Sequence, residues 1–375
     1  MRTSNTLAAL LSVAGSLSAG VNLNIDLPKD SPVAVISAAS DESNETARGG
    51  AMLVDFHASL SLRNSSQHRI RGITLLVTAQ AVTPGGKGSV TAPSLDVAPG
   101  EIFPVRLDLR LLRPLQAGNS VPVQVGLDGV LFEDLSFYGP DHLSSRRTLT
   151  VCELEARRDR RYFKSLLTEG GPERLRQEVL ASLARQVDRP DVDVQMVRGG
   201  RATNFDAEKQ VQFVFLHQPD APIELTDGMA RIFGNEARAP RLEIKNTSDR
   251  PVRYLEVGWI LRDDQGRQFL AGTLPAETNL APGQKTQVLK DTTLRFPPRP
   301  SQPFFSGKPV SAIEGMTGFV SSVEFTDGKV WIPNRSDLSD PQLARVLAPS
   351  AEEQRLVQIY RKKGLNALLE ELKKF

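Results

Sequence analysis

The chain has 375 residues, beyond the size at which a single hydrophobic core stops growing, so two domains of ordinary size are expected. Lys plus Arg number 46 against 44 Asp plus Glu, a balance that excludes long-range attraction to nucleic acid or to an anionic membrane. The single cysteine, Cys152, excludes an internal disulfide and a CxxC metal site, and the histidines His57, His68, His142 and His217 lack any HExxH-type spacing.

The first twenty residues, MRTSNTLAALLSVAGSLSAG, carry Arg2, an apolar stretch over residues 7–14 and small residues at Ser18, Ala19 and Gly20. That is the layout of a short secretory signal, and it is too short and too rich in Ser and Gly for a spanning helix. Residues 1–20 are therefore expected to direct export, to the periplasm or beyond, with a cytoplasmic protein as the alternative.

From Val21 onward the chain states one message twice. LSLRNSSQHRIRGITLLVTA, starting at Leu60, is echoed by LEIKNTSDRPVRYLEVGWIL, starting at Leu242, so that Asn64 meets Asn246, Ser66 meets Ser248 and Arg71 meets Arg253. LDVAPGEIFPV pairs with TNLAPGQKTQV, and VLFEDLSFYGP with VEFTDGKVWIP, placing Phe132 over Phe325 and Tyr138 over Trp331. The register then runs ungapped to the C-terminus, with Gly171 over Gly364. A whole domain with its tail is duplicated.

Within each copy, period-two runs such as MLVDFHASLSLRN and GFVSSVEFTDGKVWI alternate with turn clusters such as TPGGKG, APG and TDG, the mark of strands with one buried face in an antiparallel sandwich. Helical patterns follow. Leu175, Val179, Leu183 and Val187 step by one turn in the first copy; in the second, Ser350 and Glu353 form a capping box, Gly364 breaks the helix and Leu365, Leu368, Leu369 and Leu372 form the stripe. The expected fold is mainly β with α: two tandem antiparallel Ig-like β-sandwiches, 21–150 and 211–340, each followed by a helical hairpin, 151–187 and 341–375, with a linker at 188–210. Short helices of this kind are marginal alone, so their stripes must bury against the sandwich, each other or a partner.

The run LEIKNTSDRPVRYLEVGWILRDDQG followed by LAPGQ resembles the bacterial immunoglobulin-like domains of exported proteins, including those called FxLYD-like. The resemblance covers the first two thirds of each copy and implies binding or spacer roles, with no catalytic residues to carry over. The first copy departs from it, with Val77 where the second has Trp259.

No GxSxG elbow, Walker loop or GxGxxG run is present. His57 shares a strand face with Asp55, a pattern expected of surface residues more than of a base and its orienting carboxylate. Asp263-Asp264-Gln265-Gly266 reads as a turn between strands, because it lacks the further ligands of a calcium loop. No catalytic, cofactor or metal residues are assigned. Candidate partner contacts are Phe304 and Phe305 in the Pro-rich loop and the cluster Arg157, Arg158, Arg160 and Arg161. The functional expectation is a non-enzymatic exported binding or scaffold protein meeting a protein or surface polymer. A cytosolic scaffold dimerising through the helical stripes and a carbohydrate-active enzyme are the alternatives.

Overall fold

The computed structural model describes residues 21–40, 44–48, 51–79, 87–114, 121–185, 191–192, 194–198, 208–289, 292–297, 310 and 312–375. The chain divides into two compact units, Met1–Glu153 and Leu154–Phe375. The expected signal at 1–20, and Phe304 and Phe305, lie outside the described residues.

The first unit holds β1 (Val21–Asp26), β2 (Val33–Ser40), β3 (Asn44–Arg48), β4 (Ala51–Asn64), β5 (Ile70–Thr78), β6 (Lys87–Ala92), β7 (Ile102–Pro114), β8 (Val121–Phe132) and β9 (Phe137–Tyr138). One sheet has the order β1-β8-β5-β6 with β9 on β8; in the other, β4 pairs with β2 and β3 along one edge and with β7 along the other. Alternation sets the faces: Phe56, Ala58, Leu60 and Leu62 of β4 and Phe103, Val105 and Leu107 of β7 point into a core shared with Ile73, Leu75, Val125 and Val130 of the opposite sheet.

Helix α1 (Ser145–Arg185) follows, and its boundary between units falls after Glu153. The second unit then adds β10 (Asp191–Val192), β11 (Gln195–Arg198), β12 (Lys209–Gln212), β13 (Val214–Phe215), β14 (Ile223–Phe233), β15 (Glu236–Asn246), β16 (Val252–Asp263), β17 (Gln268–Leu280), β18 (Lys285–Val288), β19 (Thr292–Arg295), β20 (Ile313–Phe325) and β21 (Val330–Trp331), a 3-10 turn at Asp337–Ser339, α2 (Pro341–Val346) and α3 (Ala351–Lys373). Its sheets run β10-β17-β16-β20-β13, with β21 on β20, and β11-β19-β15-β14-β12, with β18 on β15. Trp259 lies fully buried at the centre of their common core, edge-on to Phe213 with centroids 4.9 Å apart.

The two units pair their strands alike. Val33 faces Asn64 as Ile223 faces Asn246, Leu60 faces Val105 as Leu242 faces Val288, and Val130 faces Tyr138 as Val323 faces Trp331. The turn that opened the sequence comparison is reproduced bond for bond. Asn64 Nδ2 donates to the carbonyls of His68 (2.8 Å) and Val97 (3.1 Å) while its Oδ1 accepts from Ser66 N and Oγ. Asn246 Nδ2 donates to Arg250 (2.7 Å) and Leu280 (2.9 Å) while its Oδ1 accepts from Ser248 N and Oγ. Both side chains are buried, and each closes its corner because a buried amide must find all its partners inside the protein.

Two expectations are overturned. The sheets are not purely antiparallel: β1 runs parallel to β8, β13 to β20 and β10 to β17. In each unit one sheet holds the antiparallel pair β2–β4 or β14–β15, and the other sets β5 beside β8 or β16 beside β20. Nor is each sandwich closed by a helical hairpin of its own. Among the described residues there are three α-helices, and the stripes of the two copies bury each other: Phe163, Leu166, Leu175 and Val179 of α1 and Leu356, Val357, Leu368 and Leu372 of α3 form one cluster. Two amphipathic tails too short to persist alone cover each other at Leu175, Val179, Leu368 and Leu372. Gly171 (φ 69, ψ −177) and Gly364 (φ 80, ψ −179) kink these helices in a backbone region that only glycine adopts readily.

Candidate functional site

In the second unit, α1, β20 and the segment leading through α2 into α3 enclose a pocket of about 340 Å³. Phe319 and Ser321 form part of the wall from β20, Leu347, Ala348 and Pro349 another part, and Glu155 enters from α1. The remaining charged groups in the wall belong to an ion-pair network that ties the helices together.

The network begins at the helix start that the capping box marks. Ser350 Oγ accepts from Glu353 N (3.1 Å), as a box requires, but the Glu353 carboxylate accepts instead from Ser182 (2.6 Å), Arg335 (2.9 Å) and Arg185 (3.0 Å). Ser350 Oγ in turn donates to Asp159 (2.5 Å), a fully buried carboxylate that also receives Arg158 (3.0 Å) and Arg335 (3.4 Å). Arg160 approaches Glu352 at 3.5 Å, and Arg355 joins Glu352 (2.8 Å) to Glu371 (2.6 Å). Burial works against the Glu353 charge, yet Arg335, Ser182 and Arg185 outweigh it and hold the carboxyl below its ordinary range. Tyr162, stacked under Arg335 at 4.2 Å from its ring centre, is pushed up by burial and by Glu178, against the opposing effect of Arg335.

Glu155 differs from these groups. It is half-buried in the pocket wall and has no hydrogen bond or close ion pair among the described residues. Burial raises its carboxyl to about 7, Arg158 opposes the rise, and Asp159 and Glu256 add to it.

The duplication supplies an internal control. In the register that sets Val130 over Val323, Ser321 stands where the first unit has Asp128, and Leu338 stands where it has Ser145. Asp128 is fully buried and accepts from His142 N (3.0 Å), Leu143 N (3.2 Å) and Ser145 Oγ, so its carboxylate clamps the start of α1. With Ser and Leu at the matching places, the second unit has no such clamp and the space is open.

Of the expected contacts, Arg158 and Arg160 are internal: Arg158 also donates to the Pro333 carbonyl (3.0 Å), and Arg160 stacks 4.3 Å from the Phe375 ring centre. Arg161 is exposed and donates to the Arg157 carbonyl (3.2 Å). Asp55 does not orient His57; across the β4–β7 pair His57 meets Asp108 (2.6 Å) and Asp55 meets Arg110 (2.7 Å). Asp263 accepts from Gln265 N and Arg267 N and pairs with the Arg267 guanidinium, closing a turn. Among the described residues no group of three or more His, Cys, Asp or Glu is placed to hold a metal ion, and no helix is long and apolar enough to cross a membrane. The sequence reading missed Glu155, Glu178, Arg185 and Arg335; only the Ser350/Glu353 spacing pointed toward the site.

No family model matches the chain, and no curated protein matches it. Among solved structures, a Northeast Structural Genomics Consortium target is similar over 28% of this chain and 79% of its own, at 9% identity and a TM-score of 0.21. A β-glucosidase from Kluyveromyces marxianus is similar over 65% of this chain and 40% of its own, at 11% identity and a TM-score of 0.14. A protein titled pT26-6p is similar over 90% of this chain and 73% of its own, at 9% identity and a TM-score of 0.15.

Proposed function

We propose that the chain is a non-enzymatic, exported binding or scaffold protein, built on a duplicated frame, whose second copy receives a protein segment or polymer in the pocket beside Glu155. The observation that supports this reading is the contrast between Asp128, committed to the chain's own backbone, and Ser321, which lines open space. Phe319, Leu347 and Pro349 would take an apolar stem, and the unpartnered Glu155 carboxyl would accept from an amine, amide or hydroxyl at its end. Export is tested by the mature N-terminus in fractionated cells: a start near Val21 in the envelope supports it, and Met1 retained in the cytosol overturns it.

A second reading is favoured by one observation. Glu155 is raised to about 7 while Glu353 is lowered, and both line the same pocket, the divergence expected of an acid and a base in glycoside hydrolysis. Against it, Glu353 is buried and fully engaged by Ser182, Arg185 and Arg335. Calorimetric titration with lysine-containing peptides and amino-sugar oligomers, with the products analysed afterwards, separates the two. Saturable heat with intact probes supports binding, products that depend on Glu155 support hydrolysis, and neither heat nor products removes both.

A further inference from the structure

Strand β7 pairs with β4 along its entire length, from Ile102 against Arg63 to Pro114 against Ala51. Its other edge meets no strand among the described residues. The second unit treats the same edge differently: β19, which follows β18 along β15, is covered on its outer side by β11, with Gln195 against Arg295 and Arg198 against Thr292. One copy thus shows that this edge accepts an added strand, and the other leaves it open.

The open edge is self-complementary. Pro104 has no N–H to give β4, so it is tolerated where its nitrogen faces away from the ladder. By the two-residue alternation of a strand, the backbone groups of Arg106, Asp108 and Arg110 face the same open side. The side chains of Arg106, Asp108 and Arg110 are all exposed on one face. Asp108 holds His57 and Arg110 holds Asp55, while Arg106 has no hydrogen bond or ion pair among the described residues.

We propose that the β7 edge joins a second copy of this chain, antiparallel and two-fold symmetric, with Arg106 opposite Asp108 of the other copy and the reverse. Val105 then lies opposite Leu109 and Leu107 opposite Leu107, so the pleats stay in phase and the buried and exposed faces continue across the joint. A slip that sets Asp108 against Asp108 also sets Arg106 against Arg110 and is repelled at every pair. Pro104 removes one donor at each end and confines the joint to the central residues. The interface is isologous, as a symmetric dimer requires.

Sedimentation of the full chain tests it. The wild type should sediment as a dimer at micromolar to millimolar concentration, and Arg106→Asp should raise the dissociation constant at least about tenfold, as loss of a close cross-interface charge pair does. Asp108→Arg should do the same, and the double variant Arg106→Asp/Asp108→Arg should recover the dimer, because both pairs are restored in reverse. Both substituted positions are on the surface, and far-UV circular dichroism checks that each variant is folded. Amide exchange at Arg106, Asp108 and Arg110 should slow as concentration rises. A monomeric wild type, a dimer indifferent to Arg106→Asp, or a double variant that stays monomeric overturns the proposal; a dimer that persists in these variants and dissociates on substitution elsewhere does so as well.

Discussion

The two copies have diverged in some places and not in others, and the pattern is informative. At the Asn64 and Asn246 corners every side-chain bond is repeated. The parallel first strand is kept as well, with Ile25 on Val125 and Phe215 on Gly318. The core anchor has changed, from Val77 to Trp259, both buried. The clamp at Asp128 has been lost at Ser321. Buried amides that satisfy backbone groups cannot change one at a time without leaving a partner unpaired, whereas a core can be refilled by residues of other sizes if the whole volume is conserved. The Asn corners, whose partners are backbone atoms on both sides of the turn, are kept; the Asp128 clamp, also bound to backbone, has changed together with its side-chain partner, Ser145 becoming Leu338.

Substitutions can break that comparison, and the largest effect is expected at the divergent core. Trp259→Ala should cost about 3–5 kcal/mol and Val77→Ala about 2 kcal/mol, because the cavity scales with the side chain removed; denaturant melts of the full chain that show equal losses would contradict the assigned difference in packing. Next come the corners, where Asn64→Ala and Asn246→Ala should each cost about 1–3 kcal/mol, since the buried Val97 or Leu280 carbonyl loses its donor and a part-buried one loses a second. Near-equal losses sharpen the comparison; a harmless change at either corner breaks it.

Smaller effects are expected at the helix kinks. At Gly171 and Gly364 an added Cβ meets nothing within 4 Å, so Gly→Ala at either place should cost only the backbone strain, about 1–3 kcal/mol, measured as matched shifts in melting temperature. The smallest effect is a pH dependence from Glu155, whose matching position in the second copy is Ala348. The folded Glu155 binds its proton more tightly than the unfolded chain, whose ordinary value is 4.5, so wild-type stability should fall as pH rises from about 4.5 to about 7 and then level. Glu155→Gln should remove that slope and leave the variant the more stable one above pH 7; a slope that persists in the variant would assign it to another group.

Much of the frame is legible in the sequence. Period-two runs marked the strands, the Asn64/Asn246 echo marked equivalent corners, and Ser350 with Glu353 marked the start of α3. The sheet order was not legible, because alternation tells which face of a strand is buried and not which neighbour it pairs with. The parallel β1–β8 and β13–β20 pairs therefore went unseen. The joint helical cluster was missed for a related reason: the stripes at Leu175 and Leu368 state that something must cover them and are silent on their covering each other. The pocket escaped because Glu155 and Arg335 are unremarkable in their local sequence, and its one clue, the change from Asp128 to Ser321, has meaning only once the Asp128 bonds to His142 and Leu143 are seen.

The most direct test of the claim that the second copy binds where the first is clamped is a nitrogen-detected amide map of the full chain during titration with the lysine-containing peptide or amino-sugar oligomer that gives heat. The account expects shifts at Phe319, Ser321, Ala348 and Ser350 that saturate with the calorimetric constant and are abolished by Ala348→Phe, with Leu127, Asp128 and Gly129 unmoved. Saturable shifts confined to other surfaces, or equal shifts at the Asp128 and Ser321 positions, would contradict it.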